Sequence, residues 1–350
     1  MEWGRNCRWI GLSLFVTASS LAAGTVLAVE RPISNDDDVH LRADDVADSE
    51  TSTEYQLVSD GDRDEQTPSC DCEYSLGDGC CCACEPSWRP LYLRCDLSED
   101  WYAPYVGGPN GSSGAPRQGW LATPDGFFTK EFHLFYGFTN NNGGSTDIHT
   151  GMFQLQYPIS RRIWFGLDVP FSGMVDRGPG LADLTNFDDI RVTGKVLLHE
   201  TRDLGVTAEL GVRAPTGESD MGGGITALAP AFALWSDIGG GWSYRGGVGV
   251  DIGLNGVPGN NSDTDMLYTM AVGQTITPHD DTPWGDFTYY LSVHGRSGLD
   301  GPDPHTFVYL GPGLRTHLGN NLFFLTALQL PVTGPSSYDE QLMFMFVKGL

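Results

Sequence analysis

Cysteine is the residue type in this chain with the clearest capacity for chemistry, because seven of the eight cysteines fall within residues 70–95. That stretch contains Cys70, Cys72, Cys80, Cys81, Cys82, Cys84 and Cys95. Zinc sites usually place about two to four residues between paired cysteines, and most of the spacings here are tighter. Disulfides are the default for cysteines of an exported protein, so we favour disulfides over a soft-metal site. The odd count leaves at least one thiol free or linked to another molecule.

Polar side chains, most of them ionisable, form a second group of candidates at alternate positions of the later chain. They are Glu131, His133, Asp168, Arg191, Lys195, Glu209, Arg213, Arg245, Asp251, Tyr290 and His294. The sequence around them matches no nucleophile elbow, zinc-protease helix or nucleotide-binding loop in its proper context. We therefore expect no enzyme, no cofactor and no metal site. The role of these side chains depends instead on the elements that carry them.

Those elements alternate apolar and polar residues with a period of two, which places the two sets on opposite faces of a β-strand. Phe165 and Leu167, for example, share one face of their segment, and Asp168 lies on the other. Segments 225–236 and 321–331 are apolar on both faces, so they either pack against an interior plug or are misassigned. The predicted strands are 128–139, 147–158, 163–174, 187–198, 204–215, 225–236, 242–254, 265–277, 286–295, 306–317, 321–331 and 340–348.

The lengths of these segments and of their connections indicate a transmembrane barrel. The segments suit a tilted membrane strand of about 9–11 residues, whereas globular strands average about five or six. The connections alternate between long and short, as in outer-membrane barrels with short periplasmic turns. The sequence therefore predicts an all-β, antiparallel up-and-down barrel of about 12 strands with both termini in the periplasm. A soluble secreted β-sandwich that binds a ligand is the alternative.

In a barrel, the apolar face of each strand must point towards lipid, since the hydrocarbon offers no water to polar groups. The charged candidates then face a lumen, which about 12 strands make narrow. Folding the fourth predicted strand onto the fifth places Thr193 near Glu209. Lys195 and Arg213 would then flank Glu209 diagonally. Such a ladder of opposite charges either braces the lumen or lines the path of a solute.

The N-terminal part of the chain is organised differently from the strand region. Residues 1–28 have the pattern of a cleavable secretory signal, with positive residues before an apolar core. Residues 29–69 carry acidic clusters with few apolar residues, which predicts disorder. Residues 70–126 then form a Cys-rich and Trp/Pro/Gly-rich periplasmic connector to a barrel over 127–350. The net charge of -25 argues against nucleic acid as a partner.

Three stretches resemble one known family: 184–190 (LTNFDDI), 210–218 (LGVRAPTGE) and 328–335 (LQLPVTGP). The last two end a strand on proline and a Thr-Gly turn, because proline suits a strand end and glycine a turn. They resemble the outer-membrane proteins named after the meta-pathway of phenol degradation, over about residues 128–350. The resemblance implies a barrel that helps solutes, with hydrophobic or aromatic ones as one option, to cross the outer membrane. The chain departs from most such barrels by ending on Leu350 instead of an aromatic residue.

Taken together, these features predict an outer-membrane β-barrel that is a narrow channel or transporter for small solutes. Its expected partners are outer-membrane lipid and a small-molecule solute, with periplasmic or cell-wall components as possible contacts of the N-terminal segment. Within the same fold, a structural or adhesive surface barrel without transport is the alternative. Conductance discriminates the two, because only a channel should carry ions.

Overall fold

The computed structural model describes residues 87–93, 100–142, 146–176, 184–217, 226–254, 264–300, 306–333 and 338–350. The predicted signal peptide, the predicted acidic segment and all the cysteines lie outside these ranges. None of the described residues belongs to a helix long and apolar enough to span a membrane.

Strands account for nearly all the regular structure of the described residues. They are β1 (Glu131–Asn142), β2 (Thr146–Pro158), β3 (Ile163–Asp176), β4 (Leu184–Phe187), β5 (Arg191–Glu200), β6 (Leu204–Arg213), β7 (Ala227–Gly239), β8 (Trp242–Gly253), β9 (Thr264–Thr275), β10 (Gly285–Gly298), β11 (Thr306–Gly319), β12 (Leu322–Pro331) and β13 (Glu340–Gly349). Apart from the four-residue β4, each strand has 10 to 14 residues, which is long enough to cross a bilayer when tilted.

The sheet closes on itself. β1 pairs with β2 and also with β13, where Glu131 lies opposite Gly349. β4 pairs only with β3, at Phe171–Met174, and β5 pairs with the other half of β3. The remaining strands pair antiparallel in chain order. The result is a closed barrel of 12 strands, β1–β3 and β5–β13, which confirms the predicted fold class and overturns the sandwich alternative.

The starts of two predicted strands need correction, and β7 and β10 each end three residues beyond the predicted 236 and 295. β1 begins at Glu131, not at residue 128, because Phe128 packs into an interior cluster instead of joining the sheet. The fourth predicted strand, 187–198, is divided between the end of β4 and β5. The chain turns there because the Asp188 backbone N–H donates to Pro170 O at 3.0 Å and its carboxylate accepts a hydrogen bond from the Ser172 hydroxyl at 2.9 Å.

The two faces of the barrel wall differ in composition and exposure. On β1, Phe132 and Leu134 are 39% and 41% exposed, whereas His133 between them is only 3% exposed. Phe153 of β2 and Leu210 of β6 repeat the pattern of outward, exposed apolar residues. An apolar outer face around a polar inner face is the arrangement that lipid requires, since lipid offers polar groups no hydrogen bonds.

The two ends of the barrel differ in their connections. One end, the short-turn end, carries the turns 159–162, 201–203, 240–241, 276–284 and 320–321. Asn320 and Asn321 have φ of 51° and 54°, the positive values that a two-residue hairpin turn requires. β1 begins and β13 ends at this same end. The other end carries the remaining connections, most of which are longer. The predicted alternation holds incompletely, because the β1–β2 connection spans only residues 143–145 and the turn 276–284 is longer than the connection 299–305.

The barrel interior contains a segment of the chain itself, residues 115–128, which we call the plug. Phe127 packs against Trp235 of β7, and Trp120 packs in a cluster with Leu325 of β12. β7 and β12 correspond to the two predicted strands that are apolar on both faces. Of the two explanations for them, the interior plug is therefore correct, because their inner faces pack on protein instead of facing water.

Candidate functional site

The chain approaches the plug along the short-turn end, where Glu200 holds it. The backbone of Leu91 exchanges two hydrogen bonds with that of Glu200, both at 2.7 Å. The Glu200 carboxylate is buried and forms ion pairs with Arg117 and Arg161. It also accepts a hydrogen bond from Trp88 Nε1 at 3.1 Å. Because a buried carboxylate needs such partners, Glu200 joins three parts of the chain at one point.

Two aspartates at neighbouring turns hold the next part of this segment. Asp203 accepts a hydrogen bond from the Ser112 backbone N–H at 2.7 Å. Asp237 accepts hydrogen bonds from the Ser113 backbone N–H at 2.8 Å and from its hydroxyl at 2.5 Å. The hydrogen bond from Ser112 holds the pKa of Asp203 below its usual range, because it stabilises the carboxylate form. These bonds set the point where the chain enters the lumen.

Tyr105 marks the point where the plug leaves the lumen and β1 begins. Its hydroxyl donates a hydrogen bond to the Phe128 carbonyl at 2.9 Å. Burial raises the pKa of Tyr105 to about 12, so the hydroxyl remains a donor at neutral pH. Beside it, Trp164 Nε1 donates to the Thr129 carbonyl at 3.0 Å. Both ends of the plug are therefore fixed at the short-turn end.

Two buried arginines of the barrel wall hold the plug from one side. Arg245 of β8, 0% exposed, pairs with Asp125 at 2.5 Å and donates to the Gln118 carbonyl. Arg315 of β11, 1% exposed, donates to the Gln118 side-chain oxygen at 2.6 Å and to the Gly119 carbonyl at 2.9 Å. The arginines thus supply the donors that a segment without strand partners requires for its buried acceptors.

An aromatic stack fixes the plug to the same wall. The ring centres of Trp120 and Tyr290 are 4.8 Å apart, with the planes 4° from parallel. The Leu121 backbone N–H donates to the Tyr290 hydroxyl at 3.1 Å. Gly273 of β9 makes room for the stack, because a Cβ there would lie 2.7 Å from Trp120 Cη2. β8–β11 therefore form an anchoring wall for the plug.

Along the other side of the lumen the plug leaves a cavity of about 430 Å³, which we call the lumen pocket. Residues 119–125 of the plug form one side, and inward-facing residues of β1–β3, β5, β6 and β13 form the other. The wall residues include His133, Phe135, Met152, Gln154, Trp164, Asp168, Arg191, Lys195, Glu209, Met343 and Met345. Charged groups and apolar side chains therefore share one pocket.

A row of hydrogen bonds braces the pocket wall from β1 to β3. His133 Nδ1 lies 2.6 Å from Gln154 Oε1, and His133 Nε2 lies 2.9 Å from Glu131 Oε2. Gln154 Nε2 donates to Asp168 Oδ1 at 2.7 Å. Each of these polar side chains has a partner on its own or the neighbouring strand, as buried polar groups require. The row gives the wall a fixed polar surface.

An ion pair continues this surface across β5 and β6. Lys195 Nζ lies 3.0 Å from Glu209 Oε1, and the two residues are directly opposite in register. The Lys195 ammonium also lies 4.7 Å from the centre of the Trp164 ring, a distance at which a cation is attracted to the ring face. The pair therefore satisfies both charges within the wall, and Trp164 beneath it is only 3% exposed where it borders the pocket.

The predicted register of this hairpin is wrong by two residues. Thr193 lies opposite Gly211, not near Glu209. The hairpin closes where the Thr201 N–H donates to the Leu204 carbonyl at 2.8 Å, so its centre lies after residue 201. A β-bulge in β5 close to the turn sets the final offset. The sequence pattern identified the faces correctly, but it did not reveal the turn geometry that fixes the pairing.

Two arginines face each other farther from the short turns. Arg191 of β5 lies opposite Asp168 of β3 on one side and opposite Arg213 of β6 on the other. Arg213 lies 3.7 Å from Asp251 of β8, and both side chains are about one-third exposed. The predicted lumen charges of β3–β8 therefore form one continuous part of the wall, whereas Glu131 and His133 lie on β1 and His294 lies on β10.

The structure distributes the predicted lumen residues over three settings. The lumen pocket contains His133, Asp168, Arg191, Lys195 and Glu209. The anchoring wall contributes Arg245 and Tyr290, which contact the plug. Glu131, Arg213, Asp251 and His294 interact with neighbouring wall residues. Among the described residues, no group of three His, Cys, Asp or Glu side chains is placed to hold a metal ion.

The sequence analysis missed the residues that fix the plug. Arg315 lies within predicted strand 306–317, and the same alternation that selected Arg245 would have placed it inward. Gln118 and Asp125 gave no such signal, because they lie in a stretch without periodicity. Their partners are also far away in the chain: Gln118 bonds Arg315 across 197 residues.

A family model described as "Putative MetA-pathway of phenol degradation" matches residues 136–338 of the chain. The match runs from within β1 to the connection before β13, so it begins after the plug. No curated protein sequence matches the chain.

Solved structures provide a second comparison. An outer membrane channel from Pseudomonas putida F1 is similar with a TM-score of 0.53 and 12% sequence identity, over 64% of this chain and 96% of that one. The NanC porin gives a TM-score of 0.46 at 11% identity, over 63% of this chain and 99% of that one. The KdgM porin gives 0.43 at 7% identity with the same coverage. At 12% identity, the likeness to the Pseudomonas channel concerns the fold alone.

Proposed function

We propose that this chain, which belongs to the family described as "Putative MetA-pathway of phenol degradation", is an outer-membrane channel for small solutes. Its outer face is apolar, as a membrane barrel requires, and its inner face carries charged and polar groups. The plug narrows the lumen from one side, so the channel is restricted instead of being a wide diffusion pore. The path for solute lies along the opposite wall.

The observation that carries this proposal is the lumen pocket beside the plug. A purely structural barrel has no need for a cavity of about 430 Å³ that mixes aromatic and methionine side chains with charged ones. Binding sites for small molecules typically fall within about 300–1,000 Å³ and combine apolar lining with a few placed polar groups. Phe135 and Met152, both half-buried, supply the accessible apolar part, which suits a hydrophobic or aromatic solute.

We further propose that the short-turn end faces the periplasm, with both termini on that side. Short turns face the periplasm in outer-membrane barrels, and an N-terminal secretory signal over 1–28 would deliver the chain from that side. The ion pairs and hydrogen bonds by which Glu200, Asp203 and Asp237 hold the segment leading into the plug all lie at this end. A contact between the N-terminal segment and periplasmic or cell-wall components remains a prediction.

Conductance of the purified full chain in a planar lipid bilayer tests the channel. We expect discrete single-channel currents, which Thr193→Trp should reduce because Thr193 lines the lumen pocket. Val192→Trp is the matched control: it adds the same side chain one position away, where the residue is 37% exposed on the outer face. Equal currents in both variants would contradict a path through the pocket.

A structural or adhesive surface barrel is the second candidate, and the plug gives it specific support. Arg245 and Arg315 are buried and bonded to the plug, so the barrel is braced from within. A braced barrel should be silent in the bilayer while the folded protein still migrates differently from boiled protein on a gel. That combination of results would favour the structural role over the channel.

A further inference from the structure

We propose that the lumen binds the carboxylate of a small organic anion at Arg191, with Arg213 beside it. This inference rests on the proposed channel and names the chemical class of its solute. The apolar body of the anion would lie in the lumen pocket against Phe135 and Met152, which are half-buried there.

The first argument is the pairing of like charges. Arg191 and Arg213 are directly opposite each other on β5 and β6, and both have the inward position in their strands. Like charges directly opposite on neighbouring strands are destabilising. Two guanidinium groups in this position therefore favour an anion between them, and among the described residues Asp251 forms an ion pair with Arg213 alone, at 3.7 Å.

The second argument is the setting of Arg191. No hydrogen bond or ion pair of Arg191 occurs among the described residues. Asp168 lies opposite it in register, but the Asp168 carboxylate accepts a hydrogen bond from Gln154 at 2.7 Å. Arg191 is exposed and lines the lumen pocket, so its guanidinium is accessible to a solute.

The third argument is the charge pattern of the pocket wall. Lys195 pairs with Glu209, and Asp125 pairs with Arg245, so each of these charges has an internal partner. Arg191 has Asp168 opposite it in register and is attracted by that carboxylate, but among the described residues it is the pocket cation without a hydrogen bond or close ion pair. A carboxylate matches it well, since a guanidinium presents two parallel N–H donors to the two oxygens.

Gly211 positions this guanidinium over β6. A Cβ at residue 211 would lie 2.6 Å from Arg191 Nη2, so the absence of a side chain allows the arginine to lie across the strand. The same space lies between Glu209 and Arg213 on the inner face of β6. Arg191 thus lies across β6 on the charged side of the pocket, whereas the accessible apolar lining belongs to β1 and β2, so an anion with a ring would span the two.

The test is isothermal titration calorimetry on the detergent-solubilised full chain with benzoate, benzamide and acetate. Benzamide has the same ring without the charge, and acetate has the charge without the ring. We expect benzoate to bind most tightly. Arg191→Gln should weaken benzoate binding about tenfold and leave benzamide unchanged, because only the charge-assisted hydrogen bonds are lost. Arg213→Gln should have a smaller effect of the same sign.

The control variant is Arg296→Gln, which removes the same charge from β10, where Arg296 pairs with Asp265. It should leave the preference for benzoate over benzamide intact. The proposal is overturned if benzoate and benzamide bind equally, or if Arg191→Gln and Arg296→Gln act alike. Acetate binding as tightly as benzoate would overturn the apolar half of the site.

Bilayer currents from the same preparation separate this inference from the proposed function. Currents without a benzoate preference would leave the channel standing and remove the anion site. A benzoate preference that depends on Arg191, in a protein without currents, would support the anion site and remove the channel.

Discussion

The two walls of the lumen use the same residue type for different purposes. On the anchoring wall, Arg245 and Arg315 are buried and bonded to the plug. On the pocket wall, Arg191 is exposed to the lumen and has no such bond among the described residues. The difference lies in what contacts each arginine. The anchoring-wall arginines donate hydrogen bonds to oxygens of the plug, whereas Arg191 borders the cavity and has Asp168 opposite it in register without a hydrogen bond to it. Charge in this lumen therefore serves both to hold the plug and to face a solute.

Glycine contributes to the same difference. Gly273 on the anchoring wall admits the ring of Trp120, which belongs to the plug. Gly211 on the pocket wall admits the guanidinium of Arg191, which belongs to the wall itself. The space at Gly273 is filled by a packed ring. The space at Gly211 is occupied by a charged group that borders the lumen pocket. The two walls of the lumen therefore differ in the group that lies over each glycine: a ring of the plug on the anchoring wall and a guanidinium of the wall itself on the pocket wall.

The largest expected effect comes from breaking the anchoring wall with Arg245→Ala. Removing one partner of a buried ion pair costs about 3–5 kcal/mol, and here it leaves Asp125 and the Gln118 carbonyl without their donor. We expect the plug to detach, so that single-channel conductance rises and residues 115–128 become sensitive to protease.

Arg296→Ala is the matched control for this prediction. Arg296 also faces the lumen from the same wall, but it pairs with Asp265 and its side chain is 54% exposed. Arg296→Ala should therefore leave both conductance and protease sensitivity at their wild-type levels, whereas Arg245→Ala raises both. Comparable changes in both variants would mean that conductance and protease sensitivity respond to the loss of any lumen arginine and not to detachment of the plug.

A smaller effect is expected from the pocket wall with Glu209→Gln. The substitution leaves Lys195 without its partner at 3.0 Å and adds one net positive charge to the pocket. We expect the reversal potential in a salt gradient to shift towards anion selectivity, because a cation in the lumen attracts anions. Protease sensitivity of the plug should stay at the wild-type level, and Lys195→Gln should shift the potential in the opposite direction.

The smallest effect concerns the entry of the plug at Asp203. Its folded pKa is depressed, so the bond to Ser112 contributes stability above the unfolded pKa near 3.8 and loses it as pH falls through the lower folded value. Hydrogen exchange of the Ser112 amide, corrected for intrinsic rate, should lose protection over that acidic range. Asp203→Asn should abolish the pH dependence. A dependence that survives in the variant would assign the titration to another group.

Much of the fold followed from the sequence because each barrel strand carries its own signal. The alternation of Phe165 and Leu167 with Asp168 identifies a strand and both of its faces without any partner. The pairing of strands is less local. Lys195 and Glu209 were correctly assigned to neighbouring strands on one face, but their alignment depends on how the turn closes at Thr201, which periodicity does not encode.

The plug is the part that sequence analysis only partly foresaw. The apolar inner positions of β7 and β12 indicated that something covers them, and Trp235 and Leu325 are indeed covered. The sequence predicted only a connector at Gln118 and Trp120, because an irregular segment has no period to detect.

The sequence by itself determined the barrel, its strand count and which side chains face inward, because these depend on residue alternation and connection length within short stretches. Only the tertiary structure decided that residues 115–128 turn into the lumen and bind one wall. That choice rests on contacts such as Gln118 with Arg315, which join residues 197 positions apart and form only once the barrel has closed. The lumen pocket is the space that this choice leaves, so its lining could be known only from the folded chain.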